Sequence, residues 1–141
     1  MTLTTAQKTI VQSTFAQVTN PDLLAARFYA RLFEIDPSTK PLFLGDIADQ
    51  RKKLIQALAI VVNGINDLSA IVPAIQNLGR RHVVYGVTVD HWASVGSALL
   101  WTLELTFGEA FTPKVRDAWA SAYQVIADTA ITAAYPLLER Q

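Results

Sequence analysis

The sequence predicts an all-α fold of about seven to eight helices, arranged as one domain over residues 1–141. Apolar residues recur at intervals of three and four along most of the chain, which is the spacing of one helical face. Asn-Pro, Asp-Pro and Thr-Pro pairs divide these stretches, and each pair is typical of a helix start. No Asn-Gly or Asp-Gly pair joins two alternating, strand-like runs, so no β-hairpin is predicted.

Composition limits the chemistry that the chain can carry. Twelve basic residues balance twelve acidic ones, so nothing in the charge favours a nucleic acid partner. Cysteine is absent, which excludes disulfides, thiolate metal sites, iron–sulfur clusters and a thioether-linked cofactor. A metal or cofactor must therefore be held by histidine, tyrosine, carboxylate or packing.

Neither a targeting segment nor a membrane span is predicted. The amino-terminus lacks the basic-then-apolar pattern of a secretory signal, so a cytoplasmic location is expected. The most apolar long stretch, Trp92 to Phe107, is shorter than the roughly 20 residues of a membrane-spanning helix and contains Glu104. We therefore expect a buried helix there and no membrane partner.

Two helices are predicted in the first 35 residues. Thr4 and Gln7 have the spacing of a capping box, and the first helix is expected over about 5–19. Asn20-Pro21 then supplies an N-cap and a first-turn proline for a second helix that runs to about Glu34. This second helix has two adjoining apolar stripes, which imply two buried faces: Leu24, Phe28 and Leu32 form one, and Tyr29 and Phe33 the other.

A short helical piece and a long helix follow. Asp36-Pro37 repeats the cap-and-proline signal, and Pro41 comes so soon afterwards that only a short helix fits between them. The segment 42–45 is expected to be an apolar connection. The long helix is expected from about Ile47 to Asn63-Gly64, with basic residues near its start.

Two further helices are expected in the carboxyl-terminal part. Asp90 is the predicted N-cap of a helix that ends at Gly108. Thr112-Pro113 opens the last helix, which Pro136 is expected to end or kink. Its apolar side carries Val115, Trp119, Ala122, Tyr123 and Ile126.

Both histidines of the chain lie in the largely apolar stretch from Leu78 to Leu100. His82 belongs to a helix that Asp67 to Ser69 would cap and Gly86 would end, and it shares one face with Ile71, Ile75 and Leu78. His91 falls at a helix start, where capping or a surface contact is expected. A histidine on an apolar face is more often a hydrogen-bonded core residue than a metal ligand, so the pattern alone leaves both interpretations of His82 open.

A haem is the cofactor that would suit His82. It needs one imidazole for the iron, an apolar slot for the porphyrin and cations for the propionates. The Leu78 carbonyl, one turn before His82, would be in reach of the imidazole N–H. Lys53, Arg80 and Arg81 are the candidate propionate partners, and apolar bulk near the ligand would come from Leu78, Val87, Trp92 and Val95.

Three segments resemble single-domain bacterial haemoglobins of the globin family: RFYARLFEIDPSTKPLF, LGRRHVVYGV with the following DHWASVGSALL, and FTPKVRDAWASAYQVIA. This group is similar to the haem domains of flavohaemoglobins and to neuroglobins, and the chain most resembles its Hell's Gate type. The resemblance implies a globin fold around haem b, iron protoporphyrin IX, with His82 as the axial iron ligand. It also implies a distal ligand pocket made of Tyr29, Phe33, Phe43, Gln50 and Leu54, in which Phe43 packs on the porphyrin.

The Tyr29 and Gln50 side chains both carry hydrogen-bond donors. Donors in a dry pocket stabilise dioxygen, which takes on partial negative charge, better than neutral carbon monoxide, and each neutral bond contributes about 0.5–1.5 kcal/mol net. Outside the family context, Tyr29 could equally be a core aromatic and Gln50 a solvated helix residue. The resemblance implies a high-affinity, reversible binder of dioxygen and of other small ligands such as CO and NO.

The chain departs from flavohaemoglobins on the proximal side. They place a tyrosine ten residues after the proximal histidine, and this chain has Trp92 there. The matching part of the last helix, residues 133–135, offers no glutamate. Because an indole cannot ionise to a phenolate, a peroxidase-like proximal histidine is not expected. Nitric oxide dioxygenase activity with a separate reductase, a haem-based gas or redox sensor, and a haem-free interaction protein are the alternative roles.

Overall fold

The computed structural model of the protein describes residues 3–43, 46–84 and 88–139, without the side chains of residues 82–84 and 134–139. Within these ranges six α-helices and three short 3-10 helices follow one another, and no strand occurs. The α-helices are α1 (Thr5–Ala16), α2 (Pro21–Ile35), α3 (Ile47–Asn63), α4 (Leu68–Val84), α5 (Val89–Phe107) and α6 (Pro113–Glu139). The 3-10 helices span Pro37–Leu42, Ile65–Asp67 and Gly108–Ala110. The predicted all-α class is confirmed.

Local capping sets the starts of α1 and α2 where the sequence predicts them. The Thr4 Oγ1 accepts the Gln7 N–H at 3.0 Å, and the Gln7 Oε1 accepts the Thr4 N–H, which completes the capping box. The Asn20 Oδ1 accepts the Leu23 N–H at 3.1 Å, with Pro21 as the first residue of α2. These bonds satisfy N–H groups that have no partner within their own helix.

Two helix ends differ from the prediction. α1 ends at Ala16 instead of residue 19, because the Gln17 and Val18 N–H groups bond to carbonyls three residues back and tighten the last turn. α6 continues past Pro136 to Glu139, so this proline does not end the helix. A proline in a last helical turn removes only one backbone hydrogen bond, which the rest of a 27-residue helix tolerates. The predicted stop at Gly86 lies outside the described residues.

The packing divides the buried side chains into two clusters. The larger lies mainly between α1, α2, α5 and the first half of α6, and it includes Leu32, Leu103 and Trp119. The smaller joins α4, the start of α5 and the middle of α6, through Ile75, Trp92, Ala127 and Ala130. Each large apolar side chain buried in this way contributes about 1.5–3 kcal/mol relative to exposure.

α3 and α4 pack against different helices of the fold. α3 packs against α2 and α1, whereas α4 packs mainly along α6. Within the described residues, α3 and α4 make little direct contact beyond the 3-10 helix that joins them.

Gly79 permits the close approach of α4 to α6. A Cβ atom at this position would lie 2.3 Å from the Ala130 carbonyl oxygen, far inside van der Waals contact. Because the obstructing atom belongs to the backbone of α6, a side chain here would force the helices apart. Gly79 thus fixes the position of the helix that carries His82.

No single helix in the described part of the chain has the length and apolar composition to cross a membrane. The segments Ile47–Asn63 and Ile65–Arg81 meet these criteria only as a pair, across a bend of 54°.

Candidate functional site

An aromatic cluster forms where α2 meets the connection to α3. The Tyr29 ring lies 5.9 Å from the Phe33 ring and 5.1 Å from the Phe43 ring, and the last two rings are 5.7 Å apart. Phe28 contacts Tyr29 from the core side at 5.1 Å. Tyr29 and Phe33 meet because they are one turn apart on α2, and the 3-10 helix brings Phe43 back to them. The structure thus brings together three of the residues predicted for the distal pocket.

Within this cluster the Tyr29 hydroxyl points towards α3. It donates a hydrogen bond to the Gln50 main-chain carbonyl oxygen at 3.2 Å. Tyr29 is only 6% exposed, and burial raises its pKa to about 12 because water is missing to solvate the phenolate. The hydroxyl is therefore protonated at neutral pH and can act as a donor.

The other predicted distal residues, Gln50 and Leu54, lie one turn apart on α3 and are half-buried. An ion pair between the Arg51 Nε and an Asp22 carboxylate oxygen, 2.8 Å apart, ties the start of α3 to the start of α2. Leu54 packs against the larger apolar cluster together with Phe33 and Phe43. The predicted distal residues therefore share one region of the fold.

The proximal side is described in part. The His82 side chain and all of Val87 lie outside the described residues, so their predicted roles stay predictions. Leu78 and Val95 are half-buried, and Trp92 is 7% exposed within the smaller cluster.

The hydrogen bond of Tyr123 was not predicted from the sequence, because its place in the apolar stripe of α6 predicted only an apolar contact. Its hydroxyl donates to the Trp92 carbonyl oxygen at 2.6 Å, and burial raises the pKa of Tyr123 well above the usual value for tyrosine. A Cβ at Gly96 would lie 2.7 Å from the Tyr123 ring, so this glycine makes room for the contact. Tyr123 thereby joins α6 to the start of α5.

The predicted propionate partners are all at the surface. Lys53 on α3 and Arg80 and Arg81 on α4 have exposed side chains. An exposed basic side chain can contact a carboxylate at the edge of a cofactor. All three side chains are exposed, so exposure does not show which of them would bind a propionate.

The second histidine has the capping role that the sequence predicts. α5 begins at Val89 with Thr88 as its N-cap, so the predicted N-cap at Asp90 is wrong. The His91 Nδ1 accepts the Thr88 N–H at 3.0 Å, because a side chain three residues into a helix reaches back to the N-cap backbone. Asp90 lies instead in the first turn, where its charge complements the helix dipole.

A polar network that the sequence did not reveal extends from His91. The His91 Nε2 lies 3.1 Å from the Ser38 Oγ, and Ser38 in turn donates to the Asp36 carboxylate. Ser94 donates to the other Asp36 carboxylate oxygen at 2.7 Å. The bonds from Ser38 and then Ser94 lower the pKa of Asp36 below its usual value. Asp36, predicted as a simple cap, thus joins the α2 end to α5.

This serine, histidine and aspartate do not form a nucleophilic triad. The Nδ1 atom of His91 accepts a backbone hydrogen bond, so in the neutral ring the proton is on Nε2 and is donated to Ser38. A general base would need a free lone pair on Nε2, and the aspartate would have to contact the histidine instead of the serine. The network is a structural link between helices.

Comparison with known proteins assigns the fold to a family. A model described as Globin matches residues 26–130 of the chain. The chain belongs to the globin family. Two curated relatives are flavohemoproteins, one from Bordetella parapertussis with 34% identity over 113 residues and one from Bacillus subtilis with 32% over 115 residues. Each match covers 78% of this chain and 28% of the relative, so this globin chain spans little more than a quarter of their length.

Solved structures agree with this assignment. The deoxy haemoglobin from Dasyatis akajei superposes with a TM-score of 0.79 at 21% identity, covering 94% of this chain and 99% of that one, and this likeness concerns the fold alone. An engineered carbene transferase, described as a candidate nitric oxide dioxygenase from Rhodothermus marinus, superposes with a TM-score of 0.86 at 27% identity. That match covers 98% of this chain and 97% of the other. The predicted resemblance to bacterial globins is confirmed.

Proposed function

We propose that this chain is a single globin domain over residues 1–141 that binds haem b in the cytoplasm and reversibly holds dioxygen with high affinity. Membership of the globin family supports a haem protein that binds gaseous ligands. The observation that carries the finer proposal is the buried, protonated Tyr29 hydroxyl, which lies inside an aromatic cluster and beside α3.

The described residues suit a flat apolar cofactor in three respects. The buried side chains fall into two clusters, and α3 and α4 make little contact with each other in the described ranges. Predicted lining residues on both sides are half-buried and apolar, as expected for the walls of a slot: Phe33, Phe43 and Leu54 on one side, and Leu78 and Val95 on the other. These features support the proposal that a haem completes the core between the clusters.

Tyr29 is the proposed principal donor to the gas ligand. Ferrous haem, when bound, would supply the iron to which a diatomic ligand attaches. The Tyr29 hydroxyl would turn from the Gln50 carbonyl towards the ligand, while the Gln50 amide acts as a second donor. Phe33 and Phe43 would keep water away from these bonds and thereby strengthen them.

On the proximal side, His82 is the proposed iron ligand, with the Leu78 carbonyl orienting its imidazole. Val87, Trp92 and Val95 would pack beside it. The Trp92 indole cannot become anionic, so it would not push electron density towards the iron in the way a phenolate does.

The optical spectrum of the purified protein tests this proposal. Ferric, ferrous and ferrous-oxygenated samples should each show a Soret band, and the ferrous-oxygenated form should return to the ferrous form when oxygen is removed. The proposal is wrong if the protein shows no Soret band even after haem is added.

Nitric oxide dioxygenase activity is the second candidate, favoured by the relatives named as flavohemoproteins and as a candidate nitric oxide dioxygenase. In this role a reductase would return the iron to the ferrous state, and we propose a separate protein as that reductase. This role is tested by measuring how fast the wild type and Tyr29→Phe convert nitric oxide to nitrate in the presence of a cellular reductase. Absence of catalytic nitrate formation would exclude it and leave oxygen binding intact.

A further inference from the structure

We propose that a cavity between the α1–α2 turn, α2 and the end of α5 binds a small amphipathic carboxylate. The cavity measures about 230 Å³ and is lined by Arg27 and by apolar side chains that include Leu24 and Phe107. None of the residues predicted for the haem or the distal pocket lines it. The inference therefore does not depend on the proposed function.

Arg27 is the reason to expect an anion. Its side chain is half-buried and makes no hydrogen bond or ion pair with the described residues. Three other described arginines have an acidic partner: Arg31 with Glu34, Arg51 with Asp22, and Arg116 with Glu104. Arg80 and Arg81 also lack one among the described residues, but they are exposed to water, whereas Arg27 is half-buried. No acidic side chain lines the cavity, so the guanidinium there lacks a counter-ion. A carboxylate matches its planar fork of N–H donors.

The walls indicate that the ligand carries an apolar body. Val18, Leu23, Leu24 and Phe107 contribute aliphatic and aromatic surface, and Leu23 is 42% exposed. Water beside such surface is released when an apolar ligand covers it. An engineered apolar cavity of about 150 Å³ accepts benzene, so 230 Å³ has room for a ring or short chain with its carboxylate.

Asn20 at the rim offers donors to an acceptor headgroup. The Asn20 Oδ1 is occupied by the Leu23 N–H, which leaves the amide N–H groups of Asn20 as donors. Thr106 donates its own hydroxyl proton to the Thr102 carbonyl at 2.8 Å, so it offers no donor to the ligand. Together with Arg27, the Asn20 amide supplies donors that an ionised carboxylate can satisfy.

Benzoate and benzyl alcohol are matched probes, because they share the ring and differ in charge. Each would be titrated into the purified protein while methyl and aromatic NMR signals are followed. Any bound haem would be kept ferrous and saturated with carbon monoxide, so that benzoate cannot bind ferric iron. We expect saturable binding of benzoate with a Kd of about 1 mM, as is typical of a ligand with about nine heavy atoms. The shifts should be largest at Val18, Leu24 and Phe107, and benzyl alcohol should bind about tenfold more weakly.

Arg27→Gln and Arg116→Gln provide the matched variants, since Arg116 is an exposed arginine on α6 that does not line the cavity. We expect Arg27→Gln to weaken benzoate binding about tenfold and Arg116→Gln to leave it unchanged. Equal affinity of benzoate for Arg27→Gln and the wild type would overturn the proposal. The proposal would also be overturned if benzoate did not saturate the wild type, or if the NMR shifts mapped to residues outside the cavity. If the Arg27 variant does not fold, the positions of the shifts in the wild type still test the proposal.

Discussion

The substitution Tyr29→Phe isolates the hydroxyl that the proposed gas-binding role depends on. It removes one oxygen atom and leaves the ring contacts to Phe28, Phe33 and Phe43 in place. In this structure the hydroxyl donates to the Gln50 carbonyl at 3.2 Å, so a bond to dioxygen would replace an existing bond. The relevant quantity is the difference in free energy between the bond to dioxygen and the bond to the Gln50 carbonyl.

The usual strengths of hydrogen bonds in proteins set the expected size of this difference. A bond to a neutral acceptor contributes about 0.5–1.5 kcal/mol net and one to a charged acceptor about 1.5–3 kcal/mol. Exchange of a typical bond of the first kind for a typical bond of the second kind gains about 1 kcal/mol, which corresponds to about a fivefold change in the dissociation rate. Carbon monoxide carries little charge, so its dissociation rate should change less than that of dioxygen.

Stopped-flow measurement of dioxygen dissociation compares the wild type with Tyr29→Phe. Thr14→Val is the control, because it removes a half-buried hydroxyl on α1 that accepts the Trp119 Nε1–H of α6 at 2.8 Å. Both variants should lose some stability, but only Tyr29→Phe should release dioxygen faster. Equal dissociation rates for Tyr29→Phe and the wild type would refute the role assigned to this hydroxyl.

Three other predictions address the remaining contacts. His82→Ala should abolish the coordination of haem seen in the optical spectrum. His91→Ala should keep the spectrum but lower the free energy of unfolding by about 0.5–2 kcal/mol, because a helix cap is lost. The reverse pattern would exchange the two roles. The Asp36 pKa is lowered in the folded state, so its charged form stabilises the protein above about pH 4 and this contribution disappears as the pH falls further. Urea unfolding should therefore show a difference between the wild type and Asp36→Asn at pH 6 that shrinks on acidification, and a difference independent of pH would contradict the network. Gly79→Ala should destabilise the protein by about 1–3 kcal/mol in urea, because the new methyl group meets the Ala130 carbonyl; an unchanged midpoint would show that α4 can move away.

Helix starts were the structural feature that the sequence predicted best. The capping box at Thr4 and the Asn20-Pro21 pair occur as predicted, because an N-cap bond joins residues only three apart. The start of α5 was predicted two residues late because Thr88 and Asp90 are both good N-cap types. The backbone geometry at Thr88, together with the reach of His91, decides between them.

The distal cluster was predictable for a similar reason, together with the family resemblance. Tyr29 and Phe33 are neighbours on one helix, and the short segment up to Phe43 limits how far that ring can lie from them. The hydrogen bond from Tyr29 to the main chain of Gln50 was not predictable, since it depends on how α2 crosses α3.

The amino-acid sequence by itself determined the all-α class, the positions of most helix starts and the residues that could serve a haem. The tertiary structure decided which polar groups meet across the fold. Ser94 reaches Asp36 across 58 residues of sequence, and Tyr123 reaches the Trp92 carbonyl across 31. Local sequence patterns predict the apolar face and the caps of each helix. The two long-range hydrogen bonds depend instead on the angles and distances at which the helices pack.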